Sequence, residues 1–144
     1  GITTTPIQNL QALTILTNGG VELQPYIVEK IVDSQTNKVT YQHERTELGQ
    51  KASKETTQKL LDLMYDVVYS GKTDAKFYKT DSVKLIGKTG TAQITGSNGQ
   101  YLTGKNDYVR SFAGIFPYED PQYIIYISVK QFDGVYKEFA QTVS

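Results

Sequence analysis

One short stretch, residues 83–94, places the groups of an anion-binding site on a predicted β-strand. Lys88 carries a full positive charge and three N–H donors, and the hydroxyls of Thr89 and Thr91 share one strand face because side chains alternate along a strand. Gly90 between them leaves the backbone open to a ligand. The stretch therefore predicts an anion-binding edge. The alternative is that the same run forms an ordinary turn.

A phosphate-binding loop is a competing interpretation of the same residues. Gly87, Lys88 and Thr89 match the end of the pattern G-x-x-x-x-G-K-[ST], but Ser82 stands where the first glycine is required. That loop must also lead into a helix, whereas the residues after Lys88 favour a continued strand. Nucleotide binding is therefore disfavoured.

Composition limits the remaining classes of function. The chain has 144 residues, of which 38% are hydrophobic and 21% charged, and its 15 basic residues balance its 15 acidic ones. Without a basic field, no nucleic-acid partner is expected. Cysteine is absent, so the sequence offers no disulfide and no thiolate metal site. The chain begins at Gly1 without a signal peptide, so we expect a fragment whose targeting segment lies outside it.

The first predicted helix begins with a capping box. The Thr5 hydroxyl can accept from the Gln8 N–H, Pro6 suits the first helical position, and Gly19-Gly20 supply the stop. Its apolar residues cover more than one stripe, so we expect burial on several sides. These residues are Ile7, Leu10, Ala12, Leu13, Ile15 and Leu16.

Two further elements follow before the anion-binding stretch. A turn cluster at residues 33–38 between β-favouring runs predicts a small hairpin, and His43 after it is expected to be an ordinary surface residue rather than a metal ligand or base. Ser53 should cap a second helix that Gly71 ends. Its expected core stripe is Leu60, Leu61, Met64, Val67 and Val68, and the connector after it should be anchored by Phe77 and Tyr78.

The last part of the chain is predicted to be a meander. Residues 83–94, 109–116 and 123–129 favour three antiparallel strands, and the last of them is apolar on both faces, which implies helices on both sides of the sheet. Residues 137–144 favour the start of a helix. The sequence therefore predicts an α/β (α+β) fold in which a three-stranded antiparallel meander packs against helices.

With the Lys88-Thr89-Gly90-Thr91 run on a strand, the sequence resembles the transpeptidase domain of class B penicillin-binding proteins, whose third active-site motif is Lys-Thr/Ser-Gly-Thr. The resemblance runs nearly end to end. It is carried also by Thr5-Pro6-Ile7-Gln8 with Asn18-Gly19-Gly20, by Ser111-Phe112-Ala113-Gly114-Ile115-Phe116-Pro117, and by Tyr101-Leu102-Thr103-Gly104, which is similar to Gram-positive members.

The chain departs from that family at its nucleophile. The family acylates the serine of a Ser-x-x-Lys motif and relays protons through Ser-x-Asn, and neither pattern occurs in this sequence. The resemblance therefore implies that residues 1–144 are the C-terminal part of a transpeptidase domain, within a penicillin-binding or β-lactamase-like fold. This chain alone is expected to be inactive.

The resemblance implies specific roles for the residues of the strand. The reaction is serine acyl transfer from a stem peptide ending in D-Ala-D-Ala, which β-lactams mimic. Lys88 and Thr91 would be catalytic: Lys88 sets the local positive field, and the Thr91 N–H is one oxyanion donor. Thr89 and Thr91 would hold the substrate carboxylate, Gly90 would allow close approach, and Gln93 would face the bound peptide.

Partners and location are also implied by the resemblance. No metal or organic cofactor is expected. The partners would be the peptidoglycan stem peptide, β-lactams, the N-terminal half of the same protein, and the cell-division or elongation machinery. The location would be the extracellular face of the bacterial plasma membrane, with an anchor outside this chain. Two alternatives remain open: a serine β-lactamase-like hydrolase and a non-catalytic module of the same fold.

Overall fold

The computed structural model describes residues 2–134 and Glu138. Two α-helices, one 3₁₀ helix and seven strands make up the described chain. In order they are α1 (Pro6–Thr17), β1 (Val21–Leu23), β2 (Lys30–Val32), β3 (Val39–Gln42), β4 (Glu47–Gln50), α2 (Lys54–Tyr69), the 3₁₀ helix (Asp74–Tyr78), β5 (Ile86–Gln93), β6 (Tyr108–Phe116) and β7 (Tyr123–Lys130).

The main sheet is an antiparallel meander with the strand order β5-β6-β7. Its register is continuous: Ile86 lies opposite Ile115 and Gln93 opposite Tyr108. The predicted three-stranded meander and the mixed α+β class are confirmed. Two smaller two-stranded sheets, β1-β4 and β2-β3, accompany it. We did not predict the β1-β4 pair, because strand β4 is exposed at every position and lacks an alternating apolar pattern.

Helix α1 has the predicted start and stop but not the predicted burial. The Thr5 N–H donates to the Gln8 side chain at 2.8 Å, and both halves of the capping box are present. Gly19 and Gly20 have φ of 60° and 99°, which stops the helix. The expectation of burial on several sides is wrong, since no residue of α1 is buried and Ile7 is 44% exposed. Its neighbours α2, β1 and β7 cover only part of its surface.

The predicted hairpin forms from β2 and β3. Ile31 lies opposite Tyr41, and the Asp33 carboxylate accepts from the Gln35 and Thr36 backbone N–H groups at 2.8 and 2.9 Å. These two bonds hold the pKa of the Asp33 carboxyl below its ordinary value. Asn37 takes the left-handed conformation at φ 55°. Every residue of both strands is exposed.

Helix α2 begins at the predicted cap, because the Ser53 hydroxyl accepts from the Thr56 N–H at 3.1 Å. Its buried residues are Thr57, Leu61 and Val68. Leu61 and Val68 of the predicted core stripe are therefore confirmed as buried. The prediction that Leu60 belongs to the stripe is wrong, since Leu60 is 43% exposed. The Thr57 hydroxyl is satisfied by donating to the Lys54 carbonyl at 2.8 Å.

The connector after α2 is anchored by only one of the two predicted aromatic residues. Tyr78 is 4% exposed and stacks on Phe112, with ring centroids 3.7 Å apart. Phe77 is 38% exposed, so its assignment as an anchor is wrong. Both residues lie in the 3₁₀ helix, whose tight turn directs consecutive side chains to different sides.

The core consists of two clusters that meet at strands β5 and β6. One cluster contains Val68, Ala75, Tyr78 and Phe112, and the other contains Leu61, Ile86 and Ile115. Burying a side chain as large as Phe112 stabilises a fold by about 1.5–3 kcal/mol. The first strand of the meander is thus fixed at its start by Ile86, which is fully buried.

Strand β7 is covered on both faces, as its composition indicates. Ile124 packs in the cluster of Leu61, whereas Ile127 packs in the cluster of Phe112. The second cover combines Val68 of α2 with the 3₁₀ helix and its connector. An apolar cavity of about 300 Å³ lies between that connector and residues including Ile125 and Ile127. The helix predicted for residues 137–144 lies outside the described residues, apart from Glu138.

No helix within residues 2–134 combines the length and the apolar character that crossing a membrane would need.

Candidate functional site

The predicted site lies on strand β5, which is buried at its start and exposed at its end. Ile86 and Gly87 are buried, whereas Lys88, Thr91 and Gln93 are exposed. A Cβ built on Gly87 would come within 2.5 Å of both the Phe112 ring and the Ala113 carbonyl oxygen. The absence of a side chain at Gly87 thus lets β5 lie close to β6 immediately before the site.

The register of β5 against β6 assigns the site residues to two faces. Thr89 lies opposite Phe112 and Thr91 opposite Arg110, so the two threonines share a face, as predicted. Lys88 lies opposite Ala113 on the other face. The hydroxyls of Thr89 and Thr91 and the ammonium of Lys88 thus lie on opposite faces. A ligand can contact all three groups only if it lies along the edge of β5.

Backbone geometry indicates which groups point to that edge. The Ile94 N–H donates to the Asp107 carbonyl at 3.0 Å, on the side of β6. Since antiparallel pairs alternate along a strand, the backbone groups of Thr89, Thr91 and Gln93 point the other way. No described strand pairs with that side of β5. The predicted edge position is confirmed, and the Thr91 N–H points toward the edge where a carbonyl oxygen could bind.

The side chain of Lys88 is exposed and bends along its own strand. Its Nζ donates to the Thr89 carbonyl oxygen at 2.7 Å. This contact brings the positive charge to the edge of β5 at Thr89, although Lys88 and the threonines occupy different faces. An ammonium and two hydroxyls along one edge can together bind a carboxylate through charge-assisted hydrogen bonds.

Gly90 lies directly opposite Ser111. A Cβ built on Gly90 would come within 2.5 Å of the Ser111 Oγ, with the Ser111 Cβ at 3.9 Å. Only a rotatable hydroxyl stands in the way, so this glycine is less tightly constrained than Gly87. The space beside Gly90 is shared with the Ser111 side chain.

Two further residues lie beside the site: Arg110, which sequence reasoning missed, and Tyr101, which it named only as part of the resemblance. Arg110 is half-buried and faces Thr91 across the sheet, where cross-strand Cβ atoms are typically about 4.5–5.5 Å apart. It adds a second positive charge to the face of the threonines. Tyr101 forms a bridge with Thr95 just beyond the end of β5. The position of Arg110 opposite Thr91 depends on the register between β5 and β6, which no local sequence signal fixes.

A polar network joins α2 to the start of the site strand. The Tyr118 hydroxyl donates to Asp62 at 2.9 Å, which raises the pKa of Tyr118 above its ordinary value. The Lys84 ammonium pairs with Glu119 at 2.5 Å, and this contact raises the pKa of Lys84 and lowers that of Glu119. The Tyr118 N–H also donates to the Lys84 carbonyl at 2.9 Å. The network fixes the approach to β5 without entering the site.

The lone histidine is less exposed than the ordinary surface residue that the sequence predicts. His43 is half-buried and stacks on Tyr26 with ring centroids 3.7 Å apart, and its Nε2 has no hydrogen-bond partner among the described residues. It lies in the segment between β3 and β4, away from β5. Within residues 2–134, no three His, Asp or Glu side chains are grouped so that they could hold a metal ion.

Comparison with known proteins assigns this arrangement to one family. Residues 1–143 match the family model of the penicillin binding protein transpeptidase domain. The chain is 32% identical over its whole length to the stage V sporulation protein D of Bacillus subtilis, covering 21% of it. It is 34% identical over 136 residues, or 87% of its length, to the peptidoglycan D,D-transpeptidase FtsI homolog of Mesostigma viride, covering 22% of it.

The fold agrees with a solved structure of the same kind. The crystal structure of penicillin binding protein 2X from Streptococcus thermophilus superposes with a TM-score of 0.84 at 25% identity, over 97% of this chain and 22% of that one. The chain thus spans about a fifth of the length of the curated relatives it matches. With a family model matched over residues 1–143, the chain belongs to the penicillin-binding protein transpeptidase domain family.

Proposed function

We propose that this chain supplies the Lys-Thr-Gly-Thr strand of a serine-type peptidoglycan D,D-transpeptidase, and that the same strand binds β-lactams. One observation carries the proposal: Lys88, Thr89 and Thr91 lie on a strand whose outer edge pairs with no other described strand. The family match and a relative named as a D,D-transpeptidase support it.

The reaction under this proposal is two successive acyl transfers. A serine outside residues 1–144 attacks the carbonyl of the penultimate D-Ala, its oxygen–carbon bond forms, and the peptide C–N bond breaks. The last D-Ala leaves with a proton on its new amine. An amine from a neighbouring stem peptide then attacks the ester, forms the cross-link and releases the serine.

Each residue of the strand has a distinct task in those steps. The Thr89 and Thr91 hydroxyls donate to the carboxylate of the last D-Ala, and the Lys88 charge strengthens that contact. The Thr91 N–H stabilises the oxyanion of the tetrahedral intermediate. One such donor is typically worth about 2.7–4 kcal/mol of transition-state stabilisation. Gly90 leaves room for the substrate, and Gln93 faces the peptide further along.

The proposal places this chain in the C-terminal part of a longer protein. The nucleophile and its Ser-x-Asn partner would come from the N-terminal half, since residues 1–144 contain neither motif. Peptidoglycan lies outside the plasma membrane, so we place the domain on the extracellular face, held there by an anchor outside this chain.

Labelling of the complete domain with a fluorescent penicillin tests the proposal. A stable, stoichiometric acyl-enzyme on a serine upstream of Gly1 is the expected result. Rapid hydrolysis of that acyl-enzyme would favour the β-lactamase-like alternative. No labelling, together with an upstream sequence that lacks Ser-x-x-Lys, would favour the non-catalytic module.

A further inference from the structure

An exposed apolar surface lies on the β2-β3 hairpin and the segment that leads into it. Ile27 is 93% exposed, and every residue of β2 and β3 is exposed as well. An exposed apolar patch rimmed by polar residues marks an interaction site. A surface depression of about 500 Å³ on this patch is lined by six uncharged residues, Pro25, Tyr26, Ile27, Val28, Ile31 and Tyr41.

The hairpin is held in shape by its own contacts. The His43 N–H donates to the Glu29 carbonyl at 2.7 Å, and the Asp33 N–H donates to the Lys38 carbonyl at 2.9 Å. The rings of Tyr26 and His43 stack with centroids 3.7 Å apart. Among the described elements, β2 and β3 have extensive contacts only with each other. The apolar surface is therefore preformed, which lowers the entropic cost of binding a partner.

The outer edge of β2 offers backbone groups for a further strand. The Glu29 carbonyl and the Asp33 N–H both point toward β3. Because backbone direction alternates along a strand, the N–H and carbonyl groups of Lys30 and Val32 point away from β3. No strand within residues 2–134 lies on that side of β2. An extended peptide can therefore add to β2 as a third strand.

The side chains along this edge specify the sequence of a fitting strand. Within residues 2–134, neither Glu29 nor Lys30 takes part in a salt bridge. An antiparallel partner would place an acidic residue opposite Lys30, a basic residue opposite Glu29, and apolar residues opposite Ile31 and Val32. Charged residues on an edge also disfavour purely apolar strands. The fitting segment, written from its N-terminus, is thus apolar–apolar–acidic–basic.

A second copy of this chain fits the edge poorly. Two antiparallel β2 strands must match outward-pointing residues with each other, which leaves three registers. Ile31 opposite its own copy places Glu29 opposite Asp33. Lys30 opposite its own copy brings two ammonium groups together, and Val32 opposite its own copy places Ile31 opposite Asp33. Like charges directly opposite each other destabilise a sheet.

We propose that the edge of β2 and the adjoining depression bind an extended segment of another protein with the pattern apolar–apolar–acidic–basic. The first partner residue pairs with Val32, and the second lies beside Ile31 at the depression. The acidic and basic residues then face Lys30 and Glu29. This role does not depend on the reaction proposed for β5.

The test uses the complete domain and backbone-cyclised β-hairpin peptides, because a preformed strand avoids most of the ordering cost. The matched probe presents Thr-Val-Ile-Glu-Lys-Thr on one edge, and the swapped probe presents Thr-Val-Ile-Lys-Glu-Thr with the same composition. NMR titration gives the Kd of each and should shift the amide signals of Lys30 and Val32. We expect the matched probe to bind roughly 5- to 20-fold more tightly, because the swap turns two attractive pairs into two repulsive ones.

N-methylated probes test the backbone pairing. The valine and glutamate of the matched probe lie opposite Val32 and Lys30, so their N–H groups donate to β2. N-methylation of either residue should weaken binding by about 3- to 10-fold, the difference that one net hydrogen bond makes. N-methylation on the outer edge of the probe's other strand is the control and should leave the Kd unchanged.

Two variants of equal charge change locate the contact. Lys30→Glu should weaken binding of the matched probe and favour a probe that carries Val-Ile-Lys-Lys instead. Lys38→Glu makes the same change in the turn of the hairpin, off the edge of β2, and should leave both affinities unchanged. Fluorescent-penicillin labelling should proceed equally in both variants, so the outcome is independent of the role assigned to β5.

Three results would overturn the proposal. The first is an equal Kd for the matched and swapped probes, or no binding of either. The second is self-association of the complete domain that Lys30→Glu abolishes, which would assign the edge to a second copy. The third is strong protection of the Lys30 and Val32 amides from hydrogen exchange in the complete domain without a probe, which would assign the edge to a segment of the same longer protein.

Discussion

Gly87 lies against Phe112 so closely that a Cβ at Gly87 would meet the Phe112 ring and the Ala113 carbonyl oxygen at 2.5 Å. Gly90, three residues further along the same strand, meets only the rotatable Ser111 hydroxyl. We predict that Gly87→Ala destabilises the complete domain by about 1–3 kcal/mol, the usual cost of overpacking a core. Gly90→Ala should fold normally but acylate more slowly.

Thermal melting of the two variants, combined with penicillin labelling, checks this difference. The double variant Gly90→Ala/Ser111→Ala removes the obstructing hydroxyl and is the control for steric conflict. Equal melting temperatures for Gly87→Ala and the unmodified domain would contradict the packing argument.

The 144-residue chain by itself should form no covalent adduct with a fluorescent penicillin. Residues 1–144 lack a Ser-x-x-Lys motif, so no serine has a lysine at the spacing of the family's activated nucleophile. The measurement is intact-mass analysis after incubation, with the complete domain as the positive control. Stoichiometric labelling of any serine in the isolated chain would show that the nucleophile lies within it.

The Lys84–Glu119 pair predicts a pH effect on stability. The folded pKa of the Glu119 carboxyl is lowered, so its contribution to stability is present above the ordinary value of 4.5 and is lost as the pH falls through the folded pKa. Between pH 6 and pH 3, the melting temperature of the Glu119→Gln variant should fall less than that of the unmodified domain. We expect this difference in melting temperature to be small, because the side chains of Lys84 and Glu119 are both about half exposed.

Glu44→Gln, which makes the same change at an exposed side chain outside this pair, is the control for the general loss of a carboxylate. An equal decrease in melting temperature for Glu119→Gln and the unmodified domain on acidification would show that the pair contributes nothing to stability.

Strand β7 predicts an alternating pattern of hydrogen exchange. The Gln131 N–H donates to the Tyr108 carbonyl, so every second residue before it, including Ile125 and Ile127, points its amide at β6. The amides of Ile124, Tyr126 and Ser128 point to the side that bears no described strand. In the isolated chain these three should exchange faster, and in the complete domain they should gain protection.

The isolated chain should also associate at high concentration, as sheets with open apolar edges generally do. Sedimentation measures this directly. A monomeric chain whose amides are equally protected with and without the preceding half would contradict the open-edge account and indicate a self-contained domain.

Local signals in the sequence predict most of the elements. The Thr5–Gln8 capping box, the Ser53 cap and the turn at Asp33 each depend on groups within three residues of one another, so the sequence contains the whole interaction. The edge position of Lys88 was likewise predicted, because a strand that must admit a ligand needs one open side.

Features that depend on long-range register were not predicted. Arg110 lies opposite Thr91 only because β5 and β6 pair in one particular register. The predictions of burial for Leu60 and Phe77 were wrong for a related reason. Both residues are apolar, but the neighbours of a helix, rather than its own composition, determine which of its sides is covered. The positions of Arg110, Leu60 and Phe77 all required knowledge of packing between elements.

Acylation of the complete domain by a fluorescent penicillin, measured in Lys88→Ala and Thr91→Val, tests the central claim most directly. Lys105→Ala and Thr103→Val, which make the same changes in the exposed loop before β6, are the matched controls. We predict that each site variant acylates at least about tenfold more slowly with an unchanged melting temperature, because both groups act on charge at an exposed edge rather than in the core. Acylation at the unmodified rate in correctly folded site variants would contradict the assignment of β5 as the substrate-binding strand.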